Sequence, residues 1–158
     1  MHRTLRTCGI AAVLLLAGCA GVPVPLPQKT LLAPDSADAE AKRFTPPEGR
    51  AHIYVSRTSI VGSRYRFGIL LDGKPAGLIA LNTFLLLEVS PGEHRIAATT
   101  PENEHVVAVD ARSGANYFFE AASRMGIAYA NAELRPLAEA EGRQAVLQTR
   151  RADNLSQD

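Results

Sequence analysis

The chain has 158 residues, room for one hydrophobic core, and carries 17 basic against 16 acidic side chains for a formal charge of +1. A balance so near neutral, with no basic run, excludes the electrostatic footprint of a nucleic-acid binder and of a polybasic lipid-binding segment. Both cysteines, Cys8 and Cys19, precede the folded part, which excludes an internal disulfide framework, a thiol nucleophile and a cysteine zinc site.

Met1–Thr7 is polar with Arg3 and Arg6, Cys8–Ala17 is apolar, and small Gly18 stands before Cys19. This is the order of a secretory signal, and the apolar run falls well short of the about 20 residues a spanning helix needs. Leu16-Ala17-Gly18-Cys19 resembles the bacterial lipobox. That resemblance implies that the Cys19 sulfur receives a diacylglyceryl group, that cleavage falls between Gly18 and Cys19, and that the freed amine is acylated as well. Several acyl chains, at about 0.8 kcal/mol per buried methylene, hold a protein stably on a bilayer. Ala20 follows the cysteine where Asp would favour inner-membrane retention, so the same resemblance implies the outer membrane, facing the periplasm. An uncleaved signal anchor, or an ordinary signal peptide with a chance cysteine, is the alternative.

Residues 19–50 read as a tether. Pro23, Pro25, Pro27, Pro34, Pro46 and Pro47 push the chain toward extended, semi-rigid backbone. Within it, Asp35–Phe44 predicts a short helix, with acids in the first turn, Lys42-Arg43 closing it and Phe44 packing on the domain edge.

From Ala51 the apolar period is two, and strands are predicted over 51–57, 66–72, 76–81, 83–89, 93–100, 106–111, 117–121 and 127–134. Asp72-Gly73 is a hairpin turn, Asn82 turns the chain again, and Ser90-Pro91-Gly92 suits a type II turn. Short strands with a turn signal every 8–12 residues predict an antiparallel β-sandwich or barrel. The period then changes, and Pro136–Arg150 predicts a C-terminal helix with Leu137, Ala140 and Leu147 as its apolar face, Gly142 costing it about 1 kcal/mol. Residues 51–150 are thus the folded domain and 151–158 a disordered tail.

Ala51-x-Ile53-Tyr54-Val55-x-Arg57, Asp72-Gly73-x-x-x-Gly77, Asn82-Thr83-Phe84, Pro91-Gly92-x-His94 and Tyr117-Phe118, in that order, resemble an uncharacterised family of short bacterial lipoproteins of unknown function. The resemblance covers residues 44–150. It implies a transthyretin-like antiparallel β-sandwich and an envelope location, and offers no functional residues to carry over.

Chemistry-bearing residues are few. His52, His94 and His105 fall on different strands or strand edges, so a three-histidine metal site requires those strands to converge. His94 is expected instead to share the face of Ile96 and bond near the preceding turn. There is no Gly-x-Ser-x-Gly elbow and no phosphate loop, since Gly62, Gly68, Gly73 and Gly77 sit at hairpins. Glu102/Glu104 belong to a solvated loop and Glu139/Glu141 to a helix start, not to carboxylates facing across a cleft. Arg57 is expected in a structural ion pair, with a bound carboxylate ligand as the alternative. The positive signal is apolar excess: Thr83–Leu87 is apolar on both faces. Phe84 and Leu86 are either covered by the C-terminal helix and Phe44, which is favoured because that helix needs a home, or exposed for a partner; Ile60-Val61 and Met125-Gly126-Ile127 are apolar loop groups and the more expected contacts, with inward packing as their alternative.

These readings converge on a mainly β, lipid-anchored protein of the bacterial envelope, a non-enzymatic binding or structural module. No catalytic, cofactor or metal residue is assigned. The expected partners are the membrane, through the acyl chains on Cys19, and an envelope protein, with no nucleic acid. The alternatives are a small-ligand carrier or enzyme with a site in loops 58–65 and 122–128, and an accessory subunit of an envelope complex.

Overall fold

The computed structural model describes residues 30–127 and 130–155. Helix α1 (Asp35–Ala41) begins after Pro34, places Asp35 and Asp38 in its first turn and ends at Lys42. The strands follow: β1 (Ala51–Arg57), β2 (Phe67–Leu71), β3 (Lys74–Ile79), β4 (Thr83–Val89), β5 (Gly92–Thr99), β6 (Glu104–Ala111), β7 (Asn116–Met125) and β8 (Ala130–Pro136). Helix α2 (Glu139–Leu147) and a short β9 (Arg150–Arg151) complete the described chain. At the β2–β3 turn, Asp72 and Gly73 both take positive φ, 51° and 78°, the conformation a two-residue hairpin demands.

The strands form two sheets, in the orders β8-β7-β1-β4-β9 and β3-β2-β5-β6. The turns at Asn82 and Pro91-Gly92 are therefore corners, each carrying the chain from one sheet to the other. The expectation of wholly antiparallel pairing needs correction. β1 runs parallel to β7, with Tyr54 opposite Phe118, and β4 runs parallel to β9. A parallel neighbour needs a long connection, and the excursion of β2, β3, β5 and β6 into the second sheet supplies it.

One core fills the space between the sheets. Ile53, Val55, Leu85, Leu87 and Phe119 meet Phe67, Ile69, Ile79, Ile96 and Val109 there. A second cluster lies on the far side of the five-stranded sheet, where Tyr54, Phe84, Leu86 and Phe118 are covered by Ala41, Phe44, Leu137 and Val146. The Tyr54 and Phe118 rings stack at 5.1 Å, and the Phe44 ring leans on both. Phe84 and Leu86 are 0 and 7% exposed, so they are not a partner surface: the helical layer covers them. The face α2 uses also differs from the expected one. Gly142 and Val146, one turn apart, meet the sheet, while Ala140 and Leu147 face solvent. Gly142 sits so close to Phe118 that a Cβ there would lie 2.2 Å from the Phe118 Cβ.

The disordered tail expected over 151–158 gives way, through Leu155, to a docked strap. Arg150-Arg151 extend the five-stranded sheet, Ala152 is fully buried, and Leu155 N–H donates to the Ala76 carbonyl of the other sheet. Residues 31–33 pair with the strap's free side, through Ala33 N–H to Arg151 O and Asp153 N–H to Leu31 O. The Asp38 carboxylate accepts from Arg151 N–H at 2.7 Å and from Lys42 Nζ at 2.8 Å. At the opposite corner the Asn103 amide behaves like a strand residue, donating to Ala132 O and accepting from Ala132 N–H, and so blunts the β8 edge.

Candidate functional site

β1 and β4 bring His52 opposite Glu88, on the face that carries the helical layer. The His52 side chain is 8% exposed. Tyr54 Oη donates its one proton to Ala41 O at 2.8 Å, so at 3.2 Å from His52 Nδ1 it accepts. That assigns the proton of neutral His52 to Nδ1 and leaves Nε2 as an acceptor, 4.0 Å from Glu88 Oε2. Glu88 Oε1 is engaged by Arg50 Nε at 3.0 Å. Burial, and to a lesser degree Arg151, hold His52 below its ordinary value against the pull of Glu88, so the imidazole is neutral near pH 7. Burial likewise pushes the Tyr54 phenol up to about 12, which keeps it a proton donor to Ala41. His52 Nε2 and Glu88 thus border a pocket of about 230 Å³ that Glu40, Thr45, Arg151 and Asn154 help to line. Chemically the pair offers two acceptors to one donor group.

The other sequence-derived candidates lie elsewhere. His94 Nδ1 is 2.7 Å from Asp72 Oδ2 and its Nε2 2.9 Å from Ser90 O, the turn contact expected of it. Burial opposes its charge, but the bonds to Asp72 and Ser90 outweigh burial and raise its pKa. His105 Nδ1 accepts from Leu134 N–H and locks β6 to β8. The three histidines do not converge, and among the described residues no group of three or more His, Cys, Asp or Glu is placed to hold a metal ion. Glu102 accepts from Ile127 N–H, and Glu139 pairs with Arg143.

Arg57 corrects both readings made of it. It is 0% exposed and meets no carboxylate among the described residues; it donates to Tyr65 O at 2.5 Å, Gly62 O at 2.7 Å and Ser123 Oγ at 3.2 Å, with its guanidinium 3.9 Å above the Phe67 ring. Burial lowers its pKa to about 10, which still leaves it charged at neutral pH. Its role is to pin loop 58–65 against the end of β7. A second opening, a groove of about 620 Å³, crosses the outer face of the four-stranded sheet between Leu70, Asp72, Arg95, Glu104 and Val106.

Residues 122–125 belong to β7 and not to a loop, and loop 58–65 packs on the strands: a Cβ on Gly62 would lie 2.7 Å from Ser123 Oγ of β7 and 3.1 Å from Ala130 Cβ of β8. Ile60, Val61 and, after β7, Ile127 are 78, 57 and 103% exposed. Gly18 and Cys19 lie outside the described residues. Among the described residues no helix is long and apolar enough to cross a membrane. Sequence reading missed the His52–Glu88 pair. The one available signal was His52 sharing a strand face with Tyr54, and the partner depends on a register the sequence does not state.

A family described as "Protein of unknown function (DUF2846)" matches residues 47–133. A protein of Haemophilus influenzae called "Uncharacterized protein" is 29% identical over 142 residues, which cover 89% of this chain and 80% of that one. No solved structure matches the chain.

Proposed function

This chain belongs to the DUF2846 family, and from that premise we propose that it is a lipid-anchored binding or structural module of the bacterial envelope. Cys19 carries the acyl chains, residues 20–30 form the spacer, and the two-sheet domain, transthyretin-like in plan, stands in the periplasm at the outer membrane. The observation that carries this reading is the order of the first thirty residues: basic segment, apolar run, Leu16-Ala17-Gly18-Cys19, then alternating proline. The fold supports it at the next step. The spacer runs into residues 31–33, which pair with the strap at 151–153, so a pull on the anchor is taken by the fold and not by a loose end. The test is acyl labelling with detergent-phase partition of the full chain and of Cys19→Ala. Both signals vanish in the variant; labelling that persists refutes the proposal.

A second reading, carriage of a small ligand, draws on the His52 pocket. Acceptors on His52 and Glu88 suit an amine or another N–H donor, which should shift the His52 ring resonances on titration. Resonances unmoved by a panel of small amines count against it.

A further inference from the structure

We infer that the end of the domain carrying loop 58–65 is a second membrane contact, which lays the domain on an anionic phospholipid surface. The inference rests on the anchor reading above.

Three aliphatic side chains project from this end. Ile60 and Val61 come from loop 58–65 and Ile127 from the end of β7, and Gly62 packs that loop against Ser123 of β7 and Ala130 of β8. The support beneath them is rigid, because buried Arg57 fixes the backbone of Gly62 and Tyr65 from below. Exposed aliphatic tips on a braced loop favour a surface that takes side chains without a matching cavity, which a bilayer interface does.

The charge around the tips agrees. From Gly49 to Leu71 the chain contains no acid; of the four arginines there, Arg57 is buried and Arg50 pairs with Glu88 at the start of β1, which leaves Arg64 and Arg66 at this end. Arg64 and Arg66 flank the tips, are exposed, and make no ion pair among the described residues. Two of the acids nearby are neutralised by arginines, Glu120 by Arg135 and Glu133 by Arg124, and Glu102 accepts from Ile127 N–H. Two spare guanidiniums beside apolar tips suit phosphate headgroups.

Reach permits the contact. At about 3.1 Å per residue of extended proline-rich backbone, a spacer of eleven residues reaches at most roughly 34 Å. β1, at about 3.3 Å per residue, is roughly 23 Å long. The spacer therefore lets either end of the domain touch the bilayer, and the loop chemistry decides which one does.

The test uses the full chain, acylated and reconstituted in vesicles. With the leader gone and Cys19 acylated, an introduced cysteine is the only free thiol. An environment-sensitive dye is placed at Ile60→Cys, at Ile127→Cys, or at Ser113→Cys in the turn at the other end. In vesicles containing phosphatidylglycerol, lipid-borne quencher should quench positions 60 and 127 at least about twofold more than position 113. Arg64→Glu with Arg66→Glu, or neutral phosphatidylcholine vesicles, should remove the difference. Equal quenching at all three positions, in protein that floats with the vesicles, overturns this inference and leaves the anchor intact. Protein that does not float overturns both. A difference that survives in neutral vesicles and in the double variant overturns the assignment to anionic lipid.

Discussion

Gly142→Ala sets local preference against packing. In the middle of a helix, Ala is favoured over Gly by about 1 kcal/mol, so α2 considered alone should gain stability. In the folded protein the new methyl would lie 2.2 Å from Phe118 Cβ and 2.3 Å from its Cγ, well inside the roughly 3.5–4.0 Å at which carbon atoms pack. Both contacts are at the root of a 4% exposed side chain that is stacked on Tyr54, so rotation cannot relieve them and α2 must move outward. Overpacking costs about 1–3 kcal/mol, and this geometry belongs at the upper end. The net expectation is a loss of about 2 kcal/mol, a fall of about 1 M in the urea midpoint for a slope near 2 kcal/mol/M. The chain has no tryptophan, so unfolding is followed by circular dichroism and tyrosine fluorescence. Phe118→Ala, which removes the Cγ and Cδ1 contacts, should cost less in the Gly142→Ala background than in the parent protein, a coupling that two independent sites would not show. A midpoint at or above that of the parent protein would refute the close approach of α2 to β7.

Arg57→Met should cost about 3 kcal/mol, because it leaves the Gly62 and Tyr65 carbonyls without their donor; a loss under about 1 kcal/mol in urea unfolding would show that the loop does not depend on it. Ala152→Asp puts a charge at a 0% exposed position in the strap and should cost at least about 3 kcal/mol, whereas a frayed tail would tolerate it unchanged. The His94–Asp72 pair gives a pH dependence whose sign follows from both groups. The raised His94 pKa contributes stability below its ordinary 6.5, lost as pH climbs through the folded value. Asp72, held low because bonds from Arg95 N–H and His94 outweigh burial, contributes above its ordinary 3.8, lost as pH falls through the folded value. Thermal melts across pH should show the pair's full contribution between about 4 and 6.5, and His94→Gln should flatten the decline above that window; an unchanged profile would contradict it.

Much of the fold is legible one element at a time. β1 and β4 have the boundaries that alternation predicts, because strand ends are set by local turn chemistry. The Asp72-Gly73 hairpin, the short helix before Phe44 and the turn contact of His94 are equally local. Cover for Phe84 and Leu86 could be argued too, since a strand apolar on both faces needs two neighbours. What escaped was pairing. A turn signal at Asn82 reads the same whether the chain folds back in its sheet or crosses to the other. The parallel β1–β7 contact has no signature in either strand, and His52 meets Glu88 only through the β1–β4 register.

The sequence by itself determined where most of the strands and both helices form, and that no cysteine lies in the folded part. Those are properties of short stretches, and short stretches carry their own preferences. Only the tertiary structure decided that Gly142 is a site of contact and not a weak point, that Arg57 braces a loop and not a carboxylate, and that residues 150–155 are a strap joining both sheets. Each depends on atoms far apart in the chain, where close packing and the pairing of buried polar groups outweigh any local preference.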